Sequence, residues 1–352
     1  MHLLKLFLPA TAAAAAAAAA AVGLTKHEAG GGTWKTLPSL PIAARQEHST
    51  VRITPSTLAI VGGIVPDASG PGGFATTTLV QIYNATSQAW TRAADLPVAL
   101  NHPNVAAVDG KVYVLGGLAP DDQGVWRAVG DAWEYTPATD RWRALPKVPE
   151  GSWAGSAAMG VHGNMIVLAG GMRALDPVEG GVQDTVDSVL AFDAARGRWV
   201  TDLPRRARRL PEGRDHAGAA VVGGKMYVLG GRLRGQDNVR DTVFVLDLAC
   251  MARGWRVVGG RMPTPRGGLA AAAVGDVVYT FGGEGNKEPG SQGVFPQAEA
   301  YDTVRDEWTR LENMKTPRHG TYAAALGGGV VIPGGGDKQG GAPMDFVDVF
   351  YP

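Results

Sequence analysis

The stretch GGKMYVLGG, Gly223–Gly231, returns along this chain in altered spelling: DGKVYVLGG ends at Gly117 and GDVVYTFGG at Gly283. Each version reads as a tight polar turn, a short run of β-favouring side chains, and a glycine pair. Outward from this stretch the pattern extends over the whole chain. Glycine pairs begin at Gly62, Gly116, Gly170, Gly230, Gly282 and Gly334, so successive pairs lie 54, 54, 60, 52 and 52 residues apart. A tryptophan stands about midway between pairs, at Trp90, Trp142, Trp199, Trp255 and Trp308, and a sixth, Trp34, precedes the first pair. Ahead of each midway tryptophan runs an alternating segment such as VLAFDAARGRW or AEAYDTVRDEW.

A fixed period near 50 residues is the signature of a repeat architecture. With these glycine pairs and tryptophans the chain resembles the kelch-repeat β-propeller family over roughly residues 33–352. The resemblance implies an all-β fold, a six-bladed propeller with four strands to a blade. Strand a is a run of small residues such as HAGAAVV, strand b is KMYVLGG, strand c is TVFVLDL, and strand d carries the tryptophan. Small residues suit the crowded axis, and the tryptophans are expected to pack between blades. The last repeat supplies a, b and c, ending in VDVFYP, while TWKTLP near the start is an orphan strand d. The N-terminal strand is therefore expected to complete the last blade, which removes the open edges of the array.

The segment ahead of the repeats reads as a secretory signal peptide over residues 1–24, with Lys5, an apolar alanine-rich run and small residues for cleavage. An uncleaved membrane anchor is the alternative. A secreted chain with no membrane association after cleavage is the expectation. Lys and Arg together number 33 and Asp and Glu 33, a balance that argues against nucleic acid as the partner. The one cysteine, Cys250, has no partner within the chain and reads as half-buried and inert.

Strand direction alternates, so a–b and c–d turns share one face, and b–c and d–a loops share the other. The b–c connections of the first repeats, IVPDASGPGGFATTT and LAPDDQGVWRAVGD, are long and irregular, and such loops on a rigid scaffold carry function. Counting back without gaps from each glycine pair aligns the starts of strand a. Fourteen residues back stand His48, His102, Ser156, His216, Gly268 and Gly320, and sixteen back stand Gln46, Leu100, Ala154, Arg214, Arg266 and Arg318. Arg214, Arg266 and Arg318 read as an anion-binding mouth, because the guanidinium fork suits carboxylate, sulfate or phosphate. In acidic-peptide-binding relatives pocket arginines come from equivalent positions, so the resemblance supports that reading. The alternative is that Pro-Arg before strand a is part of the repeat itself.

His48, His102 and His216 could surround a metal. The nearby carboxylates are adjacent to them in sequence and so point to the opposite side of a strand, and no metal or other cofactor is expected. His319, Trp126 and Trp153 are further candidate ligand contacts on the long-loop face, the two tryptophans as stacking surfaces. The basic run Arg205–His216 extends the mouth or forms a solvated loop. Asn84, in the sequon NAT, is a candidate glycosylation site within a c–d turn.

Two functions fit. One is a secreted binding module that holds a protein segment or glycan, possibly anionic, on the long-loop face. The other is a carbohydrate mutarotase or epimerase, implied by the resemblance to secreted six-bladed kelch enzymes. Its acid and base would come from Asp215, His216, His48 and Glu47. Two other resemblances fit poorly. Cys250 falls after strand c towards the short-turn face, away from any copper radical site, and the chain has no iron-binding run of Glu, Asp and His at four-residue spacing.

Overall fold

The computed structural model describes residues 31–178 and 181–352. The proposed signal peptide, residues 1–24, lies outside them. Blade 1 is formed by Ser49–Thr54, Thr57–Val61, Val80–Asn84 and Ala89–Arg92, each strand antiparallel to the next. Blade 2 repeats this order with Val105–Val108, Lys111–Pro120, Trp126–Thr136 and Arg141–Ala144. Blades 3, 4 and 5 each add a four-stranded antiparallel sheet of the same order. Blade 6 has three strands, Ala324–Leu326, Gly329–Pro333 and Val347–Tyr351, and Thr33–Thr36 pairs with the third as its strand d, Trp34 opposite Phe350. The six-bladed propeller is thus closed by its N-terminal strand.

The tryptophans lock each blade to the one before it. Trp34 Nε1 donates to Glu312 O at 3.1 Å, Trp90 to Pro38 O at 2.9 Å, Trp142 to Ala94 O at 2.9 Å, and Trp199 to Pro146 O at 3.0 Å. Trp255 donates to Ala207 O at 3.1 Å and Trp308 to Gly260 O at 3.3 Å. The bond from Trp34 joins blade 6 to blade 5, and the bond from Trp90 joins blade 1 to blade 6, so the cycle passes through the closing strand. Trp34 also packs edge-on to Phe281 and tilted against Phe350, with centroids 5.4 and 5.1 Å away. Trp34→Ala should cost about 2–4 kcal/mol, somewhat less than truncating a wholly buried aromatic. Chemical denaturation checks this; an unchanged midpoint would mean that the ring holds without its closing strand.

The glycine pairs couple blades through the main chain. Gly171 N donates to Arg214 O, Gly231 N to Arg266 O, Gly283 N to Arg318 O and Gly335 N to Arg45 O, at 2.6 to 3.0 Å. The first glycine of a pair has a positive φ, +59° at Gly282, and a Cβ there would lie 2.1 Å from Arg318 O. Any side chain would break the inter-blade contact, which explains why the phrase ends the same way in each repeat.

The b–c connections of blades 1–3 are ordered hairpins rather than irregular loops. Ile64–Pro66 pairs with Phe74–Thr76, strands b and c of blade 2 extend past the blade, and Met172–Leu175 pairs with Gln183–Thr185 and joins the blade 2 hairpin. Their inner faces share one apolar cluster of Ile64, Phe74, Leu118, Trp126, Met172 and Leu175.

Candidate active site at the propeller axis

The residue that begins strand a in each blade sits in the left-handed region. φ is 52° at Glu47, 48° at His102, 56° at Ser156, 52° at His216, 64° at Gly268 and 61° at Gly320. These six residues form a closed circle of hydrogen bonds around the axis. Each amide N–H donates to the same position in the previous blade: His102 N to Glu47 O (2.8 Å), Ser156 N to His102 O (2.9 Å), Gly268 N to His216 O (2.9 Å), Gly320 N to Gly268 O (3.0 Å) and Glu47 N to Gly320 O (2.6 Å). In the remaining link His216 N donates to Ser156 Oγ at 3.1 Å. Glu47, His102 and His216 of this circle line the floor of a cavity of about 940 Å³ that opens on the long-loop face.

This register corrects the gap-free count in blade 1. Arg52 pairs with Leu58 and Thr54 with Thr57, so Ile53 is an extra residue that bulges from strand a. Every residue upstream is displaced by one. The axial position of blade 1 is Glu47 and not His48, and the arginine row gains Arg45 in place of Gln46. His48 lies off the cavity, wholly buried near Thr321 and against Gly334, and burial together with Arg45 pulls its imidazole down to about 3. It has no access to a ligand and no role as acid or base.

Glu47, His102 and His216 converge. His102 Nε2 lies 2.9 Å from Glu47 Oε2 and 2.9 Å from His216 Nε2, and His216 Nε2 lies 4.0 Å from Glu47 Oε2. The glycine of blade 6 makes room, since a Cβ at Gly320 would come within 2.5 Å of Glu47 Oε1. The far nitrogens of both imidazoles are engaged. His216 Nδ1 is 2.7 Å from Asp215 Oδ1, and His102 Nδ1 is 2.7 Å from Asn101 Oδ1. Asn101 Nδ2 donates to Thr76 Oγ1, so its carbonyl oxygen faces the ring and must accept. Both histidines therefore carry the Nδ1 proton. Asp215 is wholly buried behind His216, held by Thr185 Oγ1 and 3.5 Å from Arg232 Nε. It orients the imidazole and does not reach the cavity itself.

Burial alone would raise the Glu47 carboxyl, but the imidazoles of His102, His216 and His319 outweigh it and hold Glu47 well below the usual carboxylate range. Burial and the Arg232 guanidinium pull the His216 imidazole below its usual value, and its Nε2 faces His102 Nε2 at 2.9 Å.

The residue after each glycine pair divides the cavity. Blades 1–3 place Ile64, Leu118 and Met172 there, part of the apolar wall. Blades 4 and 5 place Arg232 and Glu284, which are ion-paired and wholly buried. His319 of blade 6 adds to this polar half, with Nδ1 3.3 Å from Glu284 Oε1 and Nε2 donating to Lys338 O at 2.9 Å. Burial opposes charge on this imidazole, yet Glu284 raises it to about 9, and Glu284 falls to about 2 in return. His319 thus gains stability from its proton, fully present below its ordinary value of 6.5 and lost as pH rises through 9. The melting temperature should fall between pH 6.5 and 9, and His319→Gln should flatten that slope; an equal slope in the variant would place the titration elsewhere.

Trp126 stands in the apolar wall, its ring 5.4 Å from that of His102 and 5.7 Å from that of Phe74. Trp153 does not reach the cavity; it donates to Val148 O of its own loop at 2.9 Å and covers Gly130 in strand c of blade 2. Arg214, Arg266 and Arg318 do not form a mouth. Each guanidinium is buried in its own blade and turned away from the axis: Arg214 to Glu212 and Thr242, Arg266 to Glu299 and Thr280, Arg318 to Asp348 and Ile332 O. Asn84 is the last residue of strand c in blade 1, and its Oδ1 accepts from Thr86 N and Ser87 N of the c–d turn. Sequence reasoning missed Arg232, Glu284, Phe74 and Leu175. The first two were signalled by the position after the glycine pairs, which changes from apolar to charged between blades 3 and 4.

Comparison with known proteins agrees with this architecture. Residues 178–350 match the family described as the KLHDC2/KLHL20/DRC7 Kelch-repeats domain, and residues 99–149 match the Kelch motif. The chain is 39% identical over 325 residues to the Kelch-like protein terF of Aspergillus terreus, which covers 91% of this chain and 68% of that protein. It is 28% identical over 230 residues to an N-acetylneuraminate epimerase of Haemophilus influenzae, covering 57% of this chain and 56% of the relative. A solved structure titled "Structure of YjhT" superposes with a TM-score of 0.68 over 88% of this chain and 95% of the other, at 18% identity, a likeness of fold alone. With its repeats, blade order and closing strand all of one kind, the chain belongs to the kelch-repeat family.

Proposed function

We propose that the protein binds a small amphipathic molecule in the axial cavity and catalyses proton transfer on it. The observation that carries this reading is the meeting of Glu47, His102 and His216 on the cavity floor beside an apolar aromatic wall. A molecule with an apolar ring face would lie against Phe74, Trp126, Ile64 and Leu175. Its hydroxyl or carbonyl would then lie in the polar half formed by Arg232, Glu284 and His319. Glu284 Oε2 is buried and takes no hydrogen bond, so it is free to accept one from a ligand hydroxyl.

His216, its Nδ1 held by Asp215, has the geometry of a general base, and the positive charge of Arg232 and His319 favours a developing oxyanion. A cavity with one apolar wall and one polar half suits a small amphipathic molecule better than a protein segment, which would lie across the rim. A sugar substrate is a second reading, favoured by the similarity to N-acetylneuraminate epimerases.

The experiment is a thermal-shift screen of the protein against hydroxylated aromatic and alicyclic ketones, N-acetylneuraminate and short acidic peptides. Solvent deuterium uptake into each binder follows, read by NMR. A stabilising ring compound that gains deuterium supports the reading. Binding of peptides alone, with no small-molecule shift, would overturn it.

A further inference from the structure

We propose that Glu47, His102 and His216 hold a divalent transition-metal ion at the floor of the axial cavity. The inference rests on the proton-transfer reading but reassigns its base: with a cation bound, His216 Nε2 would be a ligand, and a metal-bound water or hydroxide would take over as the proton acceptor. Its supporting observations are separate, and it is tested without any small molecule.

The first observation is convergence of lone pairs. Asn101 and Asp215 take up the Nδ1 side of both histidines, so both Nε2 atoms turn towards Glu47 Oε2, at 2.9 and 4.0 Å. One nitrogen and one oxygen lie 2.9 Å from His102 Nε2, and the three atoms lie within 4.8 Å of one another, all from buried residues. Three lone pairs pointed at one buried spot repel unless a proton or a cation lies between them. Two imidazoles and one carboxylate, with open positions on the cavity side, are the donor set of zinc and non-haem iron sites, and imidazole disfavours magnesium and calcium. Carboxylate or amide support of each distal nitrogen is the outer-shell arrangement of metal-bound histidine.

The second observation is charge. Asp215 and Glu284 both pair with Arg232, whereas the Glu47 carboxylate is paired only with imidazoles, and with no arginine or lysine, among the described residues.

The third is backbone strain. The axial position requires positive φ, which blades 5 and 6 supply with glycine. Blades 1, 2, 3 and 4 place Glu, His, Ser and His there instead; the Glu and the two His converge, while Ser156 Oγ accepts from His216 N. A left-handed conformation at a non-glycine residue persists where function requires the side chain.

The test is equilibrium dialysis of untagged protein against Zn²⁺ and Co²⁺, with bound metal measured by mass spectrometry and the Co²⁺ visible spectrum recorded. About one ion per chain and a low-coordinate Co²⁺ spectrum are expected. Glu47→Gln and His216→Gln should each weaken the dissociation constant at least 100-fold, and Asp215→Asn about 10- to 100-fold through the outer shell. Circular dichroism melts confirm folding of each variant, and Glu47→Gln, which keeps the side-chain shape and one acceptor oxygen, decides the matter should His216→Gln fail to fold. No bound metal at 100 µM Zn²⁺, or retention of metal by folded Glu47→Gln at wild-type affinity, overturns the proposal. Small-molecule binding that persists with no bound metal would sink this inference alone and leave the proton-transfer reading standing.

Discussion

Arg266→Ala lowers the unfolding free energy by about 3–5 kcal/mol, because it leaves Glu299 charged, buried and without its partner. Both side chains are wholly buried, and Arg266 also donates to Thr280 Oγ1 at 2.8 Å, a bond that the variant loses as well. The double variant Arg266→Met with Glu299→Leu recovers most of the loss, since an apolar pair of similar volume does not strand a charge. Urea unfolding of the single and double variants measures this. Ligand affinity at the axial cavity stays unchanged in folded Arg266→Ala. A variant that melted like wild type but lost an anionic ligand would return Arg266 to the role of an anion contact. The same reasoning covers Arg318 with Asp348, and these pairs are how the repeat ties the start of strand a to strand c.

The second large effect is on turnover. Once a substrate is found by deuterium uptake, His216→Gln should slow exchange about 10²- to 10⁴-fold, the usual worth of a positioned general base. Asp215→Asn should slow it as well, because an amide that turned its NH₂ towards Nδ1 would favour the wrong tautomer. Binding should weaken far less than turnover in both, which is read as a fall in kcat with KM little changed. Equal rates in wild type and His216→Gln would exclude the axial histidine from the chemistry.

Much of the fold was legible because its signals are local. A hairpin turn, an alternating strand, a glycine pair and a tryptophan each act within a dozen residues, so their spacing shows the blade. The orphan TWKT and the three-stranded last repeat together announced the ring closure. The site was legible only in part. His102, His216, His319 and Trp126 reach the cavity as their face of the propeller suggested. His48 does not, because a one-residue bulge at Ile53 shifts the register of blade 1, and composition carries no mark of a bulge. The arginines misled because Pro-Arg ahead of strand a looks alike whether the guanidinium turns towards the axis or into the sheet.

By itself, then, the sequence determined the number of blades, the strand order within each and the closure by the N-terminal strand. These follow from periodicity and from the need to pair every edge. Tertiary structure decided which residues meet at the axis. Glu47, His102 and His216 lie 55 and 114 residues apart, and only the closing of the ring brings their side chains to one point. It also decided that three hairpins from blades 1–3 form one apolar wall facing the charges of blades 4–6. That arrangement depends on packing between distant segments, which no local pattern encodes.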